Sequence, residues 1–137
     1  AEVFSDAFFA EADSVMQKAT DKAKDNPEIL SRIGFIRAGL EYLRINTANQ
    51  AFAKKLINSD GDSGNIREAM RANWVKLENL SKQYPEAFPP KEVLKGKAAN
   101  LAYIHPDADH KDLEEKRLAK EKNKKRQAKK VIDEGLE

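Results

Sequence analysis

Apolar residues recur at three- and four-residue steps along most of this chain, the spacing of one face of an α-helix. The longest such pattern runs from Asn26 to Asn58, with Ile29, Ile33, Ile36, Leu40, Leu43 and Ala48 in line, Phe52 and Leu56 continuing, and Leu30 and Ile57 widening the stripe. Its start is specified locally. Asn26 can accept from the first free backbone N–H groups, Pro27 suits the first helical position, and Glu28 favours the positive first turn. Burying each large apolar side chain is worth roughly 1.5 to 3 kcal/mol, more than helix propensity supplies, so the stripe calls for partner helices.

Residues 4 to 24 predict the first partner, capped by Ser5 or Asp6, with Phe8, Ala12, Val15, Ala19 and Ala23 on one face and Phe4, Phe9 and Met16 beside them. The short DKAKDN link then implies an antiparallel turn. A polar loop, Asn58 to Asn65, leads to a third helix from about Ile66 to Gln83, with Asn65 as cap, Glu68 completing a capping-box pair, and Ile66, Met70, Trp74, Leu77 and Leu80 at core spacing. Started at Asp60, that loop puts Gly64, Asn65 and Arg71 at positions 5, 6 and 12 of a calcium loop, so the EF-hand pattern fails. Tyr84, which precedes Pro85, ends the third helix. A shorter helix is predicted from about Pro90 to Tyr103, and a charged one over 110–136 with a sparse apolar side, Leu113, Leu118, Ala128, Val131, Ile132 and Leu136. The fold class is therefore all-α: an antiparallel helical bundle of three core helices, plus a shorter helix and a charged C-terminal helix. Residues 1–109 form the bundle domain, and 110–137 a helix that can project from it.

Charged residues mark a second face of the long helix. Arg37 and Glu41 are four apart and Glu41 and Arg44 three apart, both neighbour spacings. They read either as solvated ion pairs or, with Arg32, as a row of forked donors offered to a ligand or an adjoining domain. Gly34 and Gly39 each cost about 1 kcal/mol relative to Ala within a helix, which suggests close helix crossings. Trp74, the only tryptophan, reads as core within its stripe, with a sugar-stacking platform as the rival reading.

Charge is unevenly placed. The net charge is +2, but residues 111 to 130 hold ten Lys or Arg against four acids, while residues 1–110 sum to −1 and 131–137 to −3. A nearly neutral body argues against a broad nucleic-acid face. The basic helix lacks interleaved aromatics for reading bases and a bulky apolar face for a membrane. With no cysteine, disulfides, thiolate metal sites and cysteine nucleophiles are excluded. No run of about 18 apolar residues predicts a membrane span. No signal-peptide pattern opens the chain, and its start at Ala1 fits a processed chain or a piece of a longer protein.

The one constellation with metal or acid–base chemistry is His105, Asp107, Asp109 and His110 in the turn YIHPDADH. The spacing matches no helical ligand pair, and the alternative is a solvated turn in which Asp107 or Asp109 caps the last helix. Glycosidase chemistry needs two carboxyls in a cleft, one of them desolvated, and none of the acids lies on an apolar face. The expectation is a chain without catalytic residues or cofactor of its own.

The run NPEILSRIGFIRAGLEYLRI, Asn26 to Ile45, resembles the helical region near the carboxyl terminus of large bacterial glycoside-hydrolase-like proteins of unknown function. The F-x-E-A-x-x-x-x-x-K-A pattern from Phe9 to Ala19 and the W-x-x-L-x-x-L-x-x-x-Y-P segment from Trp74 to Pro85 fit the same family, and together the matches span about Phe8 to Pro85. The resemblance implies an accessory module downstream of a catalytic barrel, in an exported parent that acts on polysaccharide. It transfers no catalytic residue, and on physical grounds the same residues support a helical module that packs against another domain of the parent or a second copy of itself. The basic tail has no counterpart in the family pattern. It supports a rival reading as a small adaptor that grips nucleic acid or an acidic partner through Lys111 to Lys130.

Overall fold

The computed structural model describes residues 4–58, 63–88 and 99–135, and all of their regular structure is helical. The elements are α1 (Asp6–Lys22), α2 (Pro27–Asn58), α3 (Gly64–Gln83), α4 (Ala99–Ile104) and α5 (His110–Gly135). The expected loop around Asp60 and the expected helical start at Pro90 lie outside the described residues. None of the described helices is long and apolar enough to cross a membrane.

Helix ends follow local chemistry. Ser5 Oγ accepts from the Phe8 N–H at 3.2 Å, and Asn26 Oδ1 from the Ile29 N–H at 3.2 Å. Asp109 Oδ1 likewise accepts from the Asp112 N–H at 3.1 Å, so Asp109 starts α5. Tyr84 ends α3, its N–H bonded to the Leu80 carbonyl at 2.8 Å. The expected cap at Asn65 is corrected. Ser63 holds that position through its carbonyl, which accepts from the Arg67 N–H at 3.0 Å without a side-chain cap, and Asn65 lies inside the first turn.

The core is drawn from α2, α3 and α4. One cluster joins Ile45 of α2 to Trp74 and Leu77 of α3 and to Leu101 and Ile104 of α4. A second joins Ala53 and Leu56 of α2 to Met70 of α3, with Tyr103 of α4 packed against both clusters. The six-residue α4 thus holds the place expected of α1, which supplies no member of either cluster. Trp74 is buried edge-on against His105, with ring centroids 4.6 Å apart, so its indole face is not a platform for sugar.

The buried line of α2 also differs from the expected stripe. It runs through Ile33, Ala38, Ile45, Asn49, Ala53 and Leu56, whereas Ile29 and Ile36 are exposed. The reason is that apolar residues between Ile29 and Ile45 fall on more than one side of α2, so periodicity alone does not choose a direction. Small residues, Ala38 and Ala53, decide it by letting partner helices approach.

Helix α1 lies along the N-terminal half of α2 with its partners in opposite chain order: Asp13 meets Arg44 and Gln17 meets Arg37. Phe9 is its one buried side chain, while Phe8 and Val15, expected inside, remain exposed. Among the described residues, packing does not explain the two glycines of α2. A methyl at Gly34 would rest in ordinary contact 3.4 Å from Tyr84 Oη, and one at Gly39 would meet nothing within 4 Å.

Candidate functional site

Between α1 and α2 lies a groove of about 360 Å³ lined by Asp13, Gln17, Arg37, Leu40, Glu41 and Arg44. Three of the four residues singled out on the long helix therefore share one site. The fourth, Arg32, lies apart and pairs with Glu28 of its own helix at 2.6 Å.

Arg44 fixes the groove. One of its Nη atoms donates to both carboxylate oxygens of Asp13 at 2.8 Å, and its guanidinium sits 5.2 Å over the Phe9 ring. Its Nε is buried and 3.8 Å from Glu41, too far for a hydrogen bond. Arg44 therefore works chiefly to dock α1. Arg37 is less committed. It donates to the neutral Gln17 Oε1 at 3.3 Å, and among the described residues no carboxylate lies within ion-pair distance of it. The groove thus offers a partner one open guanidinium fork beside the Glu41 carboxylate. Asp13 and Gln17 were missed in the sequence. Their signal was faint: two polar residues four apart, beside the apolar side of α1.

The turn from His105 to His110 carries out four separate structural tasks. His105 Nδ1 accepts from the Asp107 N–H at 3.1 Å, and the ring's edge lies against Trp74. Asp107 pairs with Arg71 at 2.7 Å, and that guanidinium holds its carboxyl below the usual value. Asp109 caps α5, and His110 turns inward. No three of His, Asp or Glu gather to hold a metal among the described residues. Arg67 draws the turn onto α3 by donating to the carbonyls of Pro106 at 2.7 Å and Ala108 at 3.0 Å.

His110 is 1 % exposed, and neither ring nitrogen makes a hydrogen bond of good geometry among the described residues, although the Tyr103 and Ala108 backbone lies close enough to act on the ring. Burial pushes its pKa down, and the nearby Arg67 adds to this. The Tyr103 and Ala108 backbone and the Asp109 carboxylate pull the other way without prevailing. The imidazole is therefore a neutral wedge between the body and α5, its ring 6.1 Å from that of Tyr103. Burial in turn raises the Tyr103 pKa, with Glu114 adding to the effect.

Beyond Glu114, every described residue of α5 is exposed. Pairs along the helix, Lys116 with Asp112, Arg117 with Glu114 and Glu121, and Lys130 with Glu134, support it. Lys120, Lys122, Lys124, Lys125, Arg126 and Lys129 have no carboxylate within ion-pair distance among the described residues.

No family model, curated protein or solved structure matches this chain.

Proposed function

We propose that this chain is a non-catalytic helical interaction module, folded as an antiparallel bundle, of a larger and exported glycoside-hydrolase-like protein. It meets its neighbouring domain through the groove between α1 and α2. The observation that carries this reading is Arg37, an arginine without a carboxylate partner among the described residues, held at the wall of a polar groove beside Glu41. A guanidinium in that setting suits a planar acceptor on an adjoining surface. The carbohydrate context rests on the family resemblance of Asn26 to Ile45.

The test is the parent reading frame, followed by binding of this chain in trans to whatever domain precedes it. Binding weakened about tenfold or more by Arg37→Ala, with helicity unchanged, supports the reading. A parent with no further domain, or binding indifferent to Arg37, sinks it. A glycan array probed with the isolated chain settles direct sugar binding separately.

A second reading is favoured by the unpaired cations of α5. In it, the chain is an adaptor whose exposed basic helix holds nucleic acid or an acidic protein by charge. Salt-dependent binding to a DNA duplex that disappears on truncation after Asp109 would support it.

A further inference from the structure

Residues 115–135 of α5 are all exposed, about 30 Å of helix that the body leaves clear on every side. Residues 116–130 include nine Lys or Arg and one acid, Glu121. Of these cations, Lys120, Lys122, Lys124, Lys125, Arg126 and Lys129 have no carboxylate within ion-pair distance among the described residues. A run of one sign on a free helix calls for a polyanion, and the polar residues between the cations narrow the choice.

Asn123 and Gln127 stand one turn apart on a single line along α5. Helical phase sets Lys120 and Lys124 on one side of that line and Lys122 and Arg126 on the other, with Glu121 behind it. Amides at this spacing can bond each other, as Gln50 bonds Asn46 at 2.6 Å. Asn123 and Gln127 do not: among the described residues neither side chain makes a hydrogen bond. Two free amides thus run between two rows of cations. A flat acidic surface meets only one of those rows. The walls of a duplex major groove meet both, since that groove is about 12 Å wide, admits an α-helix, carries phosphates along each side and offers base edges at its floor. The helix has no Phe, Tyr or Trp with which to stack on a single strand.

We propose, resting on the reading of this chain as an adaptor, that α5 lies in the major groove of duplex DNA. Lys120 and Lys124 neutralise phosphates on one wall and Lys122 and Arg126 on the other, while Asn123 and Gln127 bond the N6 and N7 edge of adenine. Asp133 and Glu134, a turn beyond Lys130, bound the stretch that can enter. Duplex RNA is not the occupant, because its major groove is deep and too narrow for side chains to read.

The test is binding of the full chain, across a salt series, to DNA duplexes that it enriches from a random pool. The wild type is expected to enrich adenine-containing sites and to show a slope of log affinity on log salt of about −4 or steeper, for four or more phosphates. Deazaadenine, with a carbon in place of N7, is expected to weaken binding at those sites about tenfold. Asn123→Ala with Gln127→Ala is expected to lose the same tenfold, to become indifferent to deazaadenine and to keep the salt slope. Lys124→Ala with Arg126→Ala is expected to make the slope shallower by about two. Alanine favours helix at all four exposed positions, so unfolding does not account for these losses. DNA binding without enrichment, or enriched sites that tolerate deazaadenine, overturns the groove proposal and leaves the adaptor reading standing. So does a chain that binds polyglutamate and not DNA. A chain that binds neither overturns both.

Discussion

Asn49, in the middle of α2 and fully buried, donates its side-chain amide to the Ile104 carbonyl, 55 residues further along, at 3.1 Å. The same amide lies 3.3 Å from the Met70 carbonyl, and its oxygen accepts from Asn73 Nδ2 at 3.0 Å. One polar side chain therefore ties α2 to α3 and to the end of α4, at the point where the two apolar clusters meet.

Replacing it should be costly out of proportion to its size. Asn49→Ala leaves the Ile104 and Met70 carbonyls and the Asn73 amide without this partner in a dry interior, which costs about 1–3 kcal/mol. Chemical denaturation should show that loss with an unchanged slope. The double variant with Asn73→Ala should lose less than the sum of the two single losses, because they share a bond. Strict additivity would show that the bond carries no weight.

Helix α1 should be separable from the rest. It reaches the body through Phe9 and the Arg44 contact to Asp13, and it contributes to neither core cluster. Phe9→Ala removes a nearly buried ring worth about 3–5 kcal/mol of packing. The expected result is rapid amide exchange and proteolysis confined to α1, with α3 still protected. Uniform loss of protection across α2 and α3 would instead show a single cooperative unit.

These contacts also explain what could be read in the sequence. The caps at Ser5, Asn26 and Asp109 and the stop at Tyr84 were legible because each depends on residues at most a few positions away. The buried direction of α2 was not, because Ile29, Phe35, Ile36 and Ile45 point apolar bulk to several sides. The row Arg37, Glu41 and Arg44 was legible as a helix face. Its use was hidden, since Asp13 and Gln17 arrive only once Phe9 sets how α1 lies on α2. How the His105 turn is held was hidden for the same reason: Arg67 and Arg71, 36 or more residues before the groups they bind, take its carbonyls and the Asp107 carboxylate.

The outer part of α5 should be dispensable for folding. Its residues beyond Glu114 are exposed and held by pairs within the helix, each worth a few tenths of a kcal/mol. A chain ending after Glu121 keeps the Arg117 pairs with Glu114 and Glu121 and should match the full chain within about 1 kcal/mol in urea. A larger loss would show that the exposed cations or the apolar pair Val131 and Ile132 touch the body.

The buried His110 makes stability depend on pH in a known direction. Its folded pKa lies below the ordinary value, so in mild acid the unfolded chain binds a proton that the folded chain resists. Stability then rises with pH wherever the unfolded state holds more protons. It is at its fullest above about pH 6.5 and falls as the pH drops below that value, until the folded pKa is reached. The carboxyls of Asp107 and Glu114, held down by Arg71 and Arg117, act in the same direction but only in stronger acid, near or below the ordinary carboxylate range. The histidine effect therefore sets in at higher pH than the carboxylate effect. His110→Leu should flatten the dependence of urea stability between about pH 7 and pH 5 while leaving the loss in stronger acid in place. It should also leave neutral stability equal or higher, since it removes two buried nitrogens that make no hydrogen bond of good geometry among the described residues. An unchanged slope between pH 7 and pH 5 in that variant would move the titration to another group.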